Sequence, residues 1–408
     1  MQRPDRIRVL LASGFFESEL ISFREYAYSK ELAALGHDVT LMCGDQSCIW
    51  WLSRVKLPVT NPTRYDEQFA RATGVKVHRR HVFFRISDFV LYLPSWRDIR
   101  QADVVHVIEF RQGVTVLIAL MARLLGKPVV YDHEQRGDRS AHWYNRIDSL
   151  FRRTLIFTGA LTVDRTRHTV LANRDHFQSC TWRSVPMMFA PLGVDTQRFY
   201  YDPQERERTR AELGIDAGAR VAVMSGKLHR HKRVQDVVTA CRRAGVRLIL
   251  VGTVAEDLRR DLDGMAPGTE IVLPQADPAR LRAIYNAADY AIFTTFSVSY
   301  WEAHATGVHL IVPATAFTDL IFGACPEATR FGEPSMFKVS DEQYRTDVTV
   351  DEAIEGALRR PLPSEPRCSR EDFSARITGR RLAELYRELL DLATARPQGD
   401  PALRSSRA

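Results

Sequence analysis

RVAVMSGKLHRHKRVQDVVTACRRAGVRLILVGT, residues 220–253, holds two apolar runs on either side of one amphipathic segment. The first run, Val221 to Met224, is apolar at successive positions, as in a strand covered on both faces. From Val234 the apolar residues recur at helical spacing, and Gly245 follows where a helix would end. Arg247 to Val251 then repeats the first run. Strand, helix and second buried strand in that order predict a parallel βαβ crossover. In the turn between the first strand and the helix, Gly226 permits close approach, and Lys227, Arg230, Lys232 and Arg233 crowd together. Cations beside the free N–H groups of a helix start make an anion site, suited to a nucleoside diphosphate.

The same alternation extends in both directions. Downstream come "EDLRRDLDGM" (helix), "TEIVLPQ" (strand), "ARLRAIYNAA" (helix), "DYAIFTT" (strand), "YWEAHATG" (helix) and "VHLIVPA" (strand). Upstream, "RIRVLLAS" reads as a strand, "SFREYAYSKELAALG" as a helix closed by Gly36, and "HDVTLMC" as a strand. "ADVVHVIE", "KPVVYDHE" and "ALTVDR" read as later strands, with "TVLIALMARLLG" a helix between the first two. The pattern restarts after "PLGVDTQRFYYDPQERER", which places a hinge near Tyr200–Glu205. The expectation is two α/β domains of doubly wound parallel sheet, with ligands at the C-terminal ends of strands in a cleft between them. The amphipathic helix "FSARITGRRLAELYRELLDLA" follows, and the tail after it has little apolar content and reads as disordered.

The chain has 408 residues, 45% hydrophobic and 26% charged, ordinary values for a soluble globular protein with room for two cores. A net charge of +7 favours an anionic partner such as a nucleotide or a phospholipid surface; a mildly basic solubility charge accounts for it equally well. No recognised nucleic-acid motif is present, so nucleic acid is not expected as a partner. Cys43, Cys48, Cys180, Cys241, Cys325 and Cys368 lack metal-finger or redox spacing and read as reduced thiols of a cytosolic protein. "VTVLIALMA" falls far short of the ~20 residues of a membrane span. Two stretches, "CIWWLSRVK" and "KVHRRHVFFRISDFVLYLPSW", mix basic residues with aromatics. They fit either core strands and loops or a peripheral contact with a membrane's inner face or an acceptor.

Taken in order, "PLGVDTQRF", "SGKLHRHK", "LILVG", "YNAADYAIF" and "EAHATGVHLIVP" resemble the retaining glycosyltransferases of family 4, which have the two-domain GT-B fold. "LAALGHDVTLM", "DVVHV" and "PVVYDHE" resemble that family's N-terminal half. The resemblance runs from about Arg6 to Leu390. It implies an acceptor-binding domain over residues 1–200 and a nucleotide-sugar-binding domain over 201–372. It further implies a helix over 373–394 that crosses back to the first domain, ahead of the tail at 395–408.

Roles follow from the matched positions. The family's Gly-Arg-Leu-x-x-x-Lys motif falls on Gly226, Lys227, Leu228 and Lys232, where paired cations hold the donor diphosphate and stabilise the leaving group. Lysine at 227 replaces a bidentate fork by a point charge. Glu302 matches the second of two glutamates separated by seven residues and is expected to accept hydrogen bonds from the donor ribose. The first would sit at 294, where this chain has Thr294, and the loop before Glu302 is shortened to "TTFSVS", with Phe296 and Ser297 in place of Phe-Gly. Thr295, Ser297 and Ser299 are polar groups that could stand in toward the sugar. In the first domain, Gly14 matches a glycine-rich loop near the diphosphate. His106 and Glu109 match the family's His-x-His-acid, with Ile108 replacing its second histidine, and a satisfied core histidine is the favoured reading of His106. His133 and Glu134 follow a buried strand and are candidates for the acceptor side, His133 also for catalysis.

No cofactor beyond the donor and no metal is expected, the basic pair doing the charge work. The expected activity is transfer of a sugar from a nucleotide-diphosphate sugar to a hydroxyl acceptor, a glycan, a lipid or a small molecule. The losses at 294 and 108 leave a second class of reading: a protein that binds nucleotide sugars without transferring them. A sugar-nucleotide epimerase is a poorer fit, because it needs carboxylates and a histidine around one sugar carbon.

Overall fold

The computed structural model describes residues 6–16, 24–46, 63–86, 88–135, 143–263, 270–274, 276–323, 325–336, 349–364 and 366–395. The chain divides into two compact units, Met1–Gly193 with Ala375–Ala408, and Val194–Ser374.

In the first unit, β1 (Arg8–Ala12), β2 (Asp38–Gly44) and β3 (Lys76–Arg80) are followed by an antiparallel hairpin, β4 (Val82–Ile86) and β5 (Phe89–Tyr92). Then come β6 (Val104–Ile108), β7 (Val129–His133), β8 (Arg165–His168) and β9 (Met187–Phe189). Apart from the hairpin these form one parallel sheet in the order β3-β2-β1-β6-β7-β8-β9. Side chains alternate across a strand, and here the alternation separates two cores. Leu10, Ala12, Val105, Val107, Val129 and Tyr131 face the helices Trp96–Gln101, Val114–Leu124, Trp143–Ala160 and Leu171–Cys180. Val9, Leu11, Val104 and Val130 face Arg24–Ala34 and Ala375–Ala395, the latter through Leu382, Tyr386 and Leu389.

The second unit is a parallel sheet of β10 (Val221–Ser225), β11 (Arg247–Val251), β12 (Ile271–Leu273), β13 (Tyr290–Ile292), β14 (His309–Pro313) and β15 (Ala328–Phe331). Its order is β12-β11-β10-β13-β14-β15. The helix Val234–Arg243 covers it with Val234, Val237, Val238 and Cys241, the periodic positions of the opening stretch.

Three expectations shift. "ALTVDR" is not a strand: Ala160 closes the preceding helix, Thr162 donates its hydroxyl to the Gly159 carbonyl at 2.6 Å, and β8 begins only at Arg165. Ala160 and Val163 enter the core there, while Leu161 stays exposed. The units part at Gly193 and Val194 rather than near Tyr200, since Val194 N–H already donates to the Phe373 carbonyl at 2.9 Å and Phe199 packs on Tyr285. The last helix begins at Ala375, not Phe373. The expected disordered tail past Ala395, and the whole of "CIWWLSRVK", lie outside the described residues.

Candidate active site

In each sheet the strand order reverses once, between β10 and β13 in the second unit and between β1 and β6 in the first. At such a point the connections leave in opposite directions and open a crevice at the strands' C-terminal ends.

In the second unit the turn after β10 carries the basic cluster. Gly226 has φ 101°, and a Cβ there would lie 3.3 Å from Lys232 Nζ, so the ammonium sits against the glycine backbone. Gly252, at the end of β11, has φ 136°, and a Cβ on it would come within 1.9 Å of the Gly226 carbonyl oxygen. Two glycines are therefore needed for the two turns to meet, and the sequence pattern marks only the first of them. A 3-10 turn, Arg230–Lys232, and Arg233 at φ 51° bring the chain into the helix Val234–Arg243. Lys227 is exposed, whereas Lys232 is half-buried. Burial, and secondarily Lys227, lower the pKa of Lys232. A cation in this position gains from an anion placed beside it.

The turn after β13 supplies the rest. Thr294 is buried, and its hydroxyl donates to the Lys232 carbonyl at 2.6 Å. The residue in place of the expected glutamate thus ties the lysine turn to the neighbouring strand. Phe296 packs its ring against Tyr300 and Phe317, with centroids 5.7 and 5.4 Å away, so an aromatic floor carries the shortened loop. Ser297 Oγ accepts from Ser299 N–H at 3.4 Å. Glu302 lies in the first turn of the helix Ser299–Ala305. Burial raises it to about 7, opposed by a hydrogen bond from Ser299. Tyr285, 2.7 Å from Ser225 Oγ, is the next polar group. Lys232 and Glu302 thus belong to turns that leave adjacent strands at the switch point.

In the first unit the four expected acceptor-side residues do not form one group. His106 is fully buried on the face of the last helix, with Nδ1 2.6 Å from Tyr386 Oη, and burial lowers it to about 4. His133 projects to the opposite face. Its ring nitrogens meet Tyr131 Oη at 2.7 Å and His176 Nδ1 at 3.1 Å, and burial, with His168 and His176 nearby, lowers its pKa. The half-buried His176 is thus the group through which His133 meets its surroundings.

Glu109 and Glu134 do come together. Glu109 accepts from Glu134 N–H at 2.7 Å and from the Gln135 amide at 3.0 Å. Its backbone is at φ 59°, a strained state for a residue with a side chain. Arg24 and Arg167, which the sequence did not reveal, complete the cluster. Arg24 Nη1 is 2.7 Å from Asp132 and 3.5 Å from Glu109; Arg167 Nη1 is 3.1 Å from Asp132 and 2.7 Å from Glu134. Burial alone would raise Asp132, but Arg167 and Arg24 hold it at about 2. Burial raises the neighbouring Glu134 instead, with Arg167 and Arg24 opposing it, so Asp132, enclosed by its two arginines, is the carboxylate this cluster holds ionised. Gly14 is closely packed in the turn after β1. Its N–H donates to Gln112 Oε1 at 2.6 Å, and a Cβ there would come 2.7 Å from Val90 Cγ2.

Among the described residues no group of His, Cys, Asp or Glu is arranged to hold a metal. One Asp-x-Asp occurs in the sequence, Asp261 to Asp263, and it ends the helix Glu256–Asp263.

No protein-family model matches the chain, and no curated protein matches it. Solved structures do. Sucrose-phosphate synthase of Thermosynechococcus elongatus superposes with a TM-score of 0.62 at 15% identity, over 95% of this chain and 100% of that one. HepE of Anabaena, in complex with UDP and glucose, gives 0.59 at 12% over 94% and 100%. WaaG, a glycosyltransferase involved in lipopolysaccharide biosynthesis, gives 0.53 at 16% over 95% and 100%. At these identities the likeness shows the fold: two Rossmann-like α/β halves of GT-B type.

Proposed function

We propose that this chain is a glycosyltransferase that moves a sugar from a nucleotide-diphosphate sugar to a hydroxyl acceptor with retention of configuration and without a metal. The observation that carries the reading is the pairing at the second unit's switch point of the Lys232 ammonium, set against Gly226, with the Glu302 carboxyl one strand away. A diphosphate beside Lys232 and Lys227 meets two cations. A ribose beside Glu302 meets acceptors for both of its hydroxyls. As the sugar–phosphate bond breaks, negative charge grows on the leaving diphosphate, and the fixed lysines stabilise it more than they stabilise the ground state. In this reading a leaving-phosphate oxygen takes the acceptor hydroxyl's proton, so no dedicated protein base is required. HepE, which holds UDP and glucose, and WaaG, a glycosyltransferase, share this fold and support the choice of donor and reaction class.

The test is the melting temperature against a panel of nucleoside diphosphates and nucleotide sugars, followed by turnover. A nucleotide at about a hundred times its Kd adds about 2.7 kcal/mol to the native state. One base should raise the melting point, and Glu302→Ala should abolish most of the rise. Lys232→Ala should slow transfer by about 10²–10³-fold. Unchanged kinetics in that variant would sink the assignment.

One observation favours a second reading, a nucleotide-sugar-binding protein without transfer. The Thr294 hydroxyl is engaged with the Lys232 carbonyl and does not replace the carboxylate that the family presents to the sugar. Binding with neither transfer nor donor hydrolysis, across acceptors of every class, would select it.

A further inference from the structure

The helix Val114–Leu124 reads VTVLIALMARL, with Thr115 and Arg123 as its polar residues. A helix that is apolar all round is normally covered all round. This one buries Val114, Ile118 and Ala122 but leaves Leu117, Leu120 and Leu124 outside, Leu124 81% exposed. The neighbouring helix Trp143–Ala160 adds Leu150, 68% exposed, and Phe157. The β4–β5 hairpin adds Phe83 at 59% and Ile86 at 61%. Ring contacts from Phe84 to Phe89 (6.1 Å) and from Phe89 to Phe151 (5.3 Å) join hairpin and helix into one surface. It is the outer side of the layer that covers one face of the first unit's sheet.

Two hydroxyls within this surface are bonded to their own helix. Thr154 and Thr158 donate their hydroxyls to the carbonyls of Leu150 and Thr154, at 3.0 and 2.9 Å. Among the described acids around it, Asp88 pairs with Arg111 at 2.9 Å and Asp164 with Arg123 at 3.5 Å, and Asp98 is hydrogen-bonded to His78 at 2.9 Å. Arg97 and Arg100 are exposed and have no carboxylate partner among the described residues, and Arg153 is bonded to the Ser179 carbonyl and hydroxyl. The surface is therefore apolar within and positive at its rim.

We propose that this layer docks on an anionic lipid surface. Protein partners are usually met with about one hydrogen bond per ~100–200 Å², and this layer spends its hydroxyls on its own helix. A bilayer's apolar depth asks for none, and its headgroups supply the charge that the free arginines lack. No helix among the described residues is long and apolar enough to cross a membrane. The contact lies along the interface, with Phe83, Ile86 and the leucines inserted and the arginines at headgroup level.

The test is co-sedimentation of the full chain with vesicles of phosphatidylcholine alone and of phosphatidylcholine mixed with phosphatidylglycerol, at low and high salt. Sedimentation velocity without lipid accompanies it. Binding is expected with the mixed vesicles only, weakened by salt. Each of the pairs Phe83→Ser with Ile86→Ser, and Leu117→Ser with Leu124→Ser, should weaken partition at least about tenfold. Their melting temperatures should not move, because the substituted side chains are exposed. Arg97→Ala with Arg100→Ala should reduce the salt dependence. Failure to bind either vesicle, or binding that the serine pairs leave intact, overturns the proposal. A dimer that the same serine pairs dissociate overturns it too, and assigns the face to a second copy of this chain.

Discussion

Burial holds the Glu302 carboxyl at about 7 against an ordinary 4.5, which sets the pH range where it acts. Between those values the folded chain keeps a proton that the unfolded chain releases, so unfolding releases a proton and stability falls as pH rises. Below that range both states are protonated and nothing changes; above it the cost is complete. Glu302→Gln should remove this fall, which is on the order of 1–3 kcal/mol, as read from urea titrations at a series of pH values. Parallel curves for the two proteins would remove the carboxyl from its buried setting. On the proposed function the ribose hydroxyls favour the ionised form, so nucleotide affinity should rise with pH over the same range in wild type and stay flat in the variant. Thr294 makes a second prediction. Thr294→Val leaves the Lys232 carbonyl without its partner, which should cost about 1–3 kcal/mol of stability. It should also raise the donor KM as the lysine turn loosens, and Thr294→Ser should restore both. Lys232 and Glu302 are legible in the sequence because each sits at fixed spacing beside glycine or small residues on a strong strand pattern. Arg24 is not, since its partner Asp132 lies 108 residues away and only the sheet register brings them together.

At the scale of elements, the long apolar strands and their helices are readable from periodicity, and the short or polar ones are not. β8 is Arg-Thr-Arg-His, charged or polar at every position, and is a strand because β7 and β9 flank it. Arg167 within it is fully buried, and its cost is met by Asp132, Glu134 and the Ala190 carbonyl. The aromatic hairpin reads as core or surface with equal ease, because alternation says which residues share a face and not which face is wet. The last helix, Ala375–Ala395, is readable from its stripe, and its partner is the helix Arg24–Ala34 with the β1–β2 face. Ending the chain at Ser374 would uncover that face. Leu382, Tyr386 and Leu389 are each worth about 1.5–3 kcal/mol on burial, a sum comparable with the whole stability of a domain, about 5–15 kcal/mol. The truncated chain should lose the cooperative unfolding of the first unit. A normal melting transition for that unit would refute the packing assigned to the helix.

On the scale of the molecule, the second unit is an insertion in the first. Its two ends are tied together by Val194 N–H to the Phe373 carbonyl and by a bridge between Val194 and Ser374. Gly193 and Ala375 are closer still, since a Cβ on Gly193 would lie 2.6 Å from the Ala375 Cα. Removing residues 194–374 and joining Gly193 to Ala375 through a few glycines should therefore leave the first unit folded, checked by a single thermal transition. Nucleotide should no longer raise that transition, because the lysine turn and Glu302 leave with the insertion.

That arrangement also sets a timetable for the ribosome. Every strand of the inserted sheet has emerged by Phe331, the covering helix Val234–Arg243 well before that, and the helix Val350–Leu358 follows soon after. The face formed by Val9, Leu11, Val39 and Val130, made far earlier, must wait for residues 375–395 before it is closed. The later-made unit can therefore mature first. For most of translation the earlier one carries an open greasy surface, which gives a holding chaperone a defined place and a defined interval in which to bind.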